Sequence, residues 1–132
     1  MTYRHFDLAE VERHIRDAAE RGLMQAMQSA KTDAARHGYE LQLQMFEAQT
    51  AMQLQVFAMV NQGESADMIA QTVGICISNL ICVAISVSDQ RHHTASVIGG
   101  VISDAFETLA GNGDGSINFA EAKITPTQGG RA

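Results

Sequence analysis

Proline, aromatic residues and charge are all scarce in this chain of 132 residues. Pro126 is the single proline, so no proline interrupts a helix before that position. Aromatic residues make up 5% of the chain, with no tryptophan, and β-branched residues are few before residue 69, which argues against an all-β fold. Charged residues make up only 18% and apolar residues 45%, which excludes a disordered chain. The composition therefore predicts a helical protein.

Basic residues are missing from the middle of the chain. No lysine or arginine occurs from His37 to Gln90, and the net charge of the whole chain is −6. A helix surface in water normally mixes both signs, so this stretch is expected to face protein or lipid. Without a basic cluster the chain is not expected to bind nucleic acid. The first twenty residues are charged throughout, which predicts no Sec-type signal peptide and a location that is cytoplasmic or reached by another export route.

The N-terminal segment carries a helix start signal. Asp7 is an N-cap residue with Glu10 three residues later, and Phe6 and Val11 flank the cap at the positions of a hydrophobic staple. Apolar or small residues then recur every three or four positions, which predicts one face of an amphipathic helix. These residues are Leu8, Val11, Ile15, Ala18, Gly22, Ala26, Ala30 and Ala34.

Two apolar rows continue the helical pattern further along the chain. The first row is Leu41, Met45, Ala48, Met52, Val56 and Met59, and the second is Tyr39, Leu43, Phe46, Thr50, Leu54 and Phe57. Two rows on one helix predict burial on two sides. Residues 7–61 are therefore expected to form one long helix or a helical hairpin. Gly38, beside His37, is the plausible break, because a glycine costs about 1 kcal/mol inside a helix.

An uncharged run follows the next turn. Residues 61–63 form a helix stop, and Ser65 can cap the helix after it. Residues 68–87 contain no charge, and a helix of that length can cross a hydrocarbon core of about 30 Å. The core helix of a bundle has the same pattern, so both interpretations stay open. A further helix is predicted at residues 94–109, where two consecutive glycines mark a kink or a close neighbour.

Small residues at strict spacings of four form two ladders. The first is Ala18, Gly22, Ala26, Ala30, Ala34 and Gly38, and the second is Ala66, Ala70, Gly74, Ser78, Cys82 and Ser86. Small residues on such a ridge let two helix backbones approach closely. Alanine-rich helices also produce such rows by chance. Together with the uncharged middle of the chain, the ladders predict self-association.

The chain carries few residues that could do chemistry. Cys76 and Cys82 point about 240° apart on a helix, so they cannot bridge each other and are expected to be buried, unreactive thiols. His92 and His93 are adjacent and cannot clamp one metal together. No Ser-His-Asp set, phosphate-binding glycine loop or paired-carboxylate cleft is found. The chain is therefore expected not to be an enzyme.

The segment 110–121 has the spacing of a calcium loop. Oxygen-bearing residues stand at its third, fifth, seventh, ninth and twelfth positions, namely Asn112, Asp114, Ser116, Asn118 and Glu121. Gly115 matches the turn glycine at the sixth position and Ile117 the apolar residue at the eighth. Calcium takes six to eight oxygen ligands, which this spacing wraps around one ion. The segment therefore resembles a single EF-hand loop, and the resemblance implies a weak structural calcium site at these residues.

The resemblance departs from the EF-hand pattern at the first position, where Ala110 stands in place of aspartate. Two carboxylates remain in the loop, and no second loop accompanies it although EF-hands usually work in pairs. The alternative is a glycine-rich turn before a short helix, which Asn118 and Glu121 would cap. No family resemblance is found in the rest of the chain.

These patterns predict an all-α protein in three parts. Residues 1–109 form a helical assembly domain, residues 110–125 an EF-hand-like loop and short helix, and residues 126–132 a flexible tail. The leading hypothesis is a structural or adaptor protein whose helices pack, as a bundle or coiled coil, on one another or on a larger complex. Two alternatives stay open: a calcium-dependent regulator, and a small helical oligomer inserted in a membrane through residues 68–87.

Overall fold

A computed structural model describes residues 5–111, and four α-helices make up most of this range. They are α1 (Leu8–Ser29), α2 (Asp33–Asn61), α3 (Ala66–Ser86) and α4 (Arg91–Gly111). The prediction of an all-α fold is confirmed. The described residues divide into two compact units, 5–64 and 65–111, each of them a pair of helices. Apart from Ala110 and Gly111, the predicted loop-helix at 110–125 and the tail at 126–132 lie outside the described residues.

The start of α1 follows its sequence signal. The Asp7 carboxylate accepts hydrogen bonds from the backbone N–H groups of Ala9, at 3.0 Å, and Glu10, at 3.3 Å. Phe6 and Val11, the two staple residues, are buried. This arrangement pairs N–H groups that a helix start otherwise leaves without partners. The predicted cap is therefore confirmed.

The break between α1 and α2 lies at residues 30–32, so the prediction of a break at Gly38 is wrong. Ala30 has extended backbone angles, and the Thr32 hydroxyl accepts a hydrogen bond from the Ala35 N–H at 3.0 Å. Asp33 follows in the first turn of α2, where a negative charge complements the helix dipole. Gly38 and His37 lie inside α2. Capping by Thr32 therefore decides the helix boundary, and the cost of one helical glycine does not.

The first small-residue ladder is interrupted by this break. Ala30 is the C-cap residue of α1, and Ala34 lies in the first turn of α2. The ladder therefore does not form one continuous ridge. The second ladder lies entirely within α3, which begins at Ala66 and ends at Ser86.

The second unit is a hairpin of α3 and α4. The Ser65 hydroxyl caps α3 by accepting a hydrogen bond from the Met68 N–H at 3.2 Å, as predicted. In the turn, the Ser88 hydroxyl accepts from the Gln90 N–H at 3.0 Å and lies 2.7 Å from the Thr94 hydroxyl. These contacts hold the start of α4 against the end of α3, so the two helices run antiparallel.

Candidate interaction surfaces

One arginine of α1 makes a cluster of polar contacts at the interface with α2. Arg16 donates two hydrogen bonds to the Glu47 carboxylate, at 2.7 and 2.9 Å, and a third to Glu12 at 2.9 Å. Its guanidinium carbon also lies 5.7 Å from the centre of the Phe46 ring, which adds a cation–π contact. The hydrogen bonds from Arg16 lower the pKa of Glu47 below its usual value of 4.5. The hydrogen bonds to Glu47 and Glu12 raise the pKa of Arg16 above its ordinary value.

The open end of this hairpin is closed by the side chain of Asn61. The Phe6 backbone N–H donates to Asn61 Oδ1 at 2.7 Å, and Asn61 Nδ2 donates to the Phe6 carbonyl at 2.9 Å. The Phe6 and Phe57 rings meet edge to face, with their centroids 5.0 Å apart. Both contacts join the start of α1 to the end of α2, and Arg16 joins the middle of α1 to the middle of α2. The first unit is therefore an antiparallel hairpin with a defined register.

Polar oxygens are buried on α2 without hydrogen-bond partners. Thr50 is only 1% exposed, and its hydroxyl oxygen forms no hydrogen bond with any residue between 5 and 111. The side-chain oxygen of Gln53, one turn further along, is in the same state. A buried polar group without a partner costs free energy relative to water. Thr50 belongs to the second apolar row of α2, and its hydroxyl departs from the apolar character of that row.

One of the two apolar rows of α2 is largely exposed, so burial on two sides is not seen within the single chain. Phe46, Thr50 and Phe57 belong to the row that faces α1. Most of the other row is open to solvent because, within the 5–64 unit, α1 packs on the opposite side of α2. The exposed residues of that row, here named the α2 outer stripe, are Leu41, Met45, Ala48 and Met52.

The helix α3 buries none of its 21 residues. Ile69, Val73, Ile81 and Ile85 are partly covered and belong to the side that packs on α4, as do Ile98 and Ile102 on α4. The opposite side of α3, here named the α3 outer face, is exposed. Its apolar or sulfur-bearing residues are Met68, Ile75, Cys76, Cys82 and Val83.

The exposure of Cys76 and Cys82 contradicts the prediction that they are buried. Both are free thiols, as expected, but both are exposed because α4 covers only one side of α3. Gly74 is also exposed, and a Cβ atom built on it would meet nothing within 4 Å. The same holds for Gly99 and Gly100, so neither marks a close neighbour within the chain. All six residues of the second ladder are accessible.

The helix α3 is the one candidate membrane span among the described residues. It is 21 residues long, its most apolar 18-residue window has a mean hydropathy of 2.0, and none of that window is buried. The antiparallel register of the hairpin sets two carboxylates of α4 beside it. Both helices extend from the turn by about 1.5 Å per residue. Asp104 therefore lies close to the level of Ile75, near the middle of α3. Glu107 lies about three residues further from the turn. Both are exposed.

The predicted calcium ligands lie outside the described residues. Those ligands are Asn112, Asp114, Ser116, Asn118 and Glu121. The loop's first two positions, Ala110 and Gly111, form the last residues of α4. Within residues 5–111, no group of three or more His, Cys, Asp or Glu residues could hold a metal ion. Calcium binding therefore stays a prediction from the sequence.

The arrangement that sequence reasoning missed is the ion-pair cluster of Arg16. Its contact with Glu12 follows from their separation of four residues on a helix, but the contact with Glu47 needs the hairpin register. The α2 outer stripe was visible as a row, and only the packing assigned it to the surface. No family model, curated protein or solved structure matches the chain.

Proposed function

We propose that this chain is a helical assembly protein whose α3–α4 hairpin docks, through the α3 outer face, on helices of other copies or of a larger complex. The observation that carries the proposal is the exposure of α3. A helix with a mean hydropathy of 2.0 over 18 residues leaves its whole outer face uncovered. Large exposed apolar patches on a protein mark interaction sites, because covering them removes apolar area from water.

The charge pattern supports a protein partner that is a further copy. The chain has a net charge of −6, which opposes association through most of its surface. The α3 outer face carries no charge, so two copies can meet there without like-charge repulsion. Thr72 is a polar residue of α3 whose hydroxyl donates to the Met68 carbonyl at 2.8 Å, which satisfies that group within the helix. A helix of another copy can therefore cover it at little cost.

The second candidate is a membrane-inserted oligomer, and the length and hydropathy of α3 favour it. The carboxylates of α4 oppose it. If the hairpin entered a bilayer as a unit, Asp104 and Glu107 would lie at the depth of the middle of α3. A charged carboxylate at the centre of a bilayer costs about 3 kcal/mol or more. A protein surface that leaves α4 in water avoids that cost.

Sedimentation velocity of the full chain at tens of micromolar, without detergent, tests the proposal. The wild-type chain is expected to sediment as an oligomer, and Ile75→Lys is expected to give a smaller particle because it sets a lysine ammonium in the α3 outer face, where covering it removes its water. The Ile75 side chain is 61% exposed in the chain itself, so helicity measured by circular dichroism is expected to stay unchanged. The matched control is Val101→Lys on α4, which starts from a similarly exposed residue, at 65%, and is expected to keep the wild-type size.

A monomeric wild-type chain under these conditions would remove the proposal, as would an Ile75→Lys chain that keeps the wild-type particle size. Flotation with vesicles of neutral phospholipid separates the membrane alternative. The assembly proposal predicts that the chain stays in the aqueous fraction. Co-flotation that survives high salt and alkaline carbonate would favour insertion instead.

A further inference from the structure

The α2 outer stripe is a second uncovered apolar surface, and it belongs to the 5–64 unit. Leu41, Met45 and Met52 are 48%, 52% and 47% exposed, and Ala48 between them is exposed as well. The stripe lies on the side of α2 opposite Thr50, which is 1% exposed in the interface with α1. It is therefore separate from the contacts that hold the hairpin together.

The spacing of the stripe is that of a coiled-coil seam. Its four residues are separated by four, three and four positions, which is the a/d pattern of a heptad repeat. Such a pattern keeps one side of a helix against a partner helix over several turns. Because α1 occupies the other side of α2, the partner of the stripe lies outside this hairpin.

The positions beside the stripe carry no charge. They are occupied by Gln42, Gln44, Gln49 and Ala51, all exposed. In coiled coils these flanking positions normally carry the charges that select one partner and reject another. Glu47 is the one acid between Leu41 and Asn61, and Arg16 of the same hairpin binds it. The stripe therefore has no charged group that could pair with a charged partner. Two chains of net charge −6 can meet there without like charges facing each other.

We propose that the α2 outer stripe packs antiparallel against the same stripe of a second copy, so that two α1–α2 hairpins form a four-helix bundle. Antiparallel packing pairs an a position with a d position of the other helix. Leu41 then faces Met52 of the second copy, and Met45 faces Ala48, with each layer repeated by the two-fold axis. Large residues meet a small or a differently shaped one in every layer, as close packing requires. A parallel arrangement would set Ala48 against Ala48 and leave a void.

This inference goes beyond the proposed function, which needs only the α3 outer face. The two surfaces can be tested separately on the full chain. In an Ile75→Lys background, which removes the α3 contact if the proposed function is correct, the α2 stripe is expected to leave a dimer. A wild-type-sized particle in that background would count against the proposed function and not against the stripe.

Met45→Lys tests the stripe in the Ile75→Lys background. A lysine ammonium in the seam loses water without gaining a partner, so the dissociation constant of the dimer is expected to rise by at least about tenfold in analytical ultracentrifugation. The matched control is Met24→Lys, because Met24 on α1 is similarly exposed, at 48%, and lies outside the stripe. An equal loss in both variants, or no loss in the Met45→Lys chain, would overturn the proposal.

Spin labels measure the orientation without disturbing the seam. Single cysteines are introduced at Gln49 or Gln55, with Cys76 and Cys82 replaced by serine. In the antiparallel dimer, identical labels separate along the axis by about 3 Å for each residue between the label and the two-fold axis. The separation along the axis is then about 8 Å for position 49 and about 26 Å for position 55. Equal distances at both positions would indicate a parallel pair, and the absence of any dipolar coupling at position 49 would indicate no pair; either result overturns the proposal.

Discussion

At the scale of single residues, the α1–α2 hairpin combines polar groups that are hydrogen-bonded with a buried hydroxyl that is not. Arg16 satisfies two carboxylates and one aromatic face, and Asn61 satisfies both backbone groups of Phe6. Thr50, in the same interface, buries a hydroxyl that has no partner among the described residues. Substitutions at these side chains are expected to change the stability of the first unit.

Thr50→Val is expected to stabilise the 5–64 unit. Valine has nearly the same shape as threonine and the same branching at Cβ, so the change removes the unpaired hydroxyl without forming a cavity. The free energy of unfolding is expected to rise by roughly 1 kcal/mol in chemical denaturation. The control is Thr72→Val, where the hydroxyl is exposed and bonded to the Met68 carbonyl, and where no such gain is expected. A lower stability in Thr50→Val would show that this hydroxyl does have a partner in solution.

Glu47→Gln is expected to lower the melting temperature near neutral pH, and this loss is expected to vanish in acid. The pKa of folded Glu47 lies below 4.5, so its pair with Arg16 stabilises the folded state above that pH. The stabilisation is lost as the pH falls through the folded pKa, where the carboxylate takes up a proton. Because the pair is exposed, 1 M salt should also reduce the difference. Thermal melts of both proteins from pH 3 to pH 7 measure it, and a difference that grows in acid would contradict the assignment.

At the scale of elements, capping residues decide where the helices begin. Asp7, Thr32 and Ser65 each pair backbone N–H groups of the first turn, and the helices follow directly after them. Gly38 lies inside α2 without interrupting the helix. Gly63 lies in the turn after α2 and has a φ of +84°. The chain therefore uses one glycine for its backbone freedom and tolerates another inside a helix.

Gly38→Ala is expected to stabilise α2. A Cβ at this position meets nothing within 4 Å, and alanine in a helix interior is favoured over glycine by about 1 kcal/mol. Denaturant unfolding followed by circular dichroism measures the gain. Gly63→Ala is the matched opposite, because a positive φ strains any residue with a side chain, and it is expected to destabilise the chain. Destabilisation by Gly38→Ala would restore the prediction of a break at Gly38.

The loop 110–121 is proposed to hold calcium weakly, limited by the alanine at its first position. Ala110→Asp adds a charge and a ligand and is expected to tighten binding, while Glu121→Gln removes the bidentate carboxylate and is expected to abolish it. Calorimetric titration of the wild type and of both variants measures the affinities. If Ala110→Asp gives no heat at millimolar calcium, the segment resembles an EF-hand only in its turn composition.

At the scale of the whole molecule, the two helical pairs leave much apolar surface uncovered. In the first unit the buried hydrophobic residues are Phe6, Val11 and Ile15, and in the second no described residue is buried. The α3 outer face and the α2 outer stripe are two such surfaces. We propose that further copies of the chain cover both surfaces.

The cysteines report this coverage directly. Cys76 and Cys82 are exposed in the single chain, so a water-soluble maleimide is expected to label both quickly at high dilution. At tens of micromolar, assembly through the α3 outer face is expected to slow the labelling by covering the thiols. Ile75→Lys, which is expected to block that assembly, should label at one rate at every concentration. Concentration-independent labelling of the wild type would contradict coverage of α3.

The sequence by itself determined the helices and most of their starts, because these depend on local interactions. The Asp7 and Ser65 caps, the staple of Phe6 and Val11, and the uncharged run at 68–87 were all readable from neighbouring residues. Only the tertiary structure decided which apolar rows are covered. Periodicity shows that a row lies on one side of a helix, but not whether another helix packs there. Each helix has one neighbour in its pair, so one side is covered and the α2 outer stripe and α3 outer face stay open. The Arg16–Glu47 pair, 31 positions apart, likewise depends on the register of the hairpin.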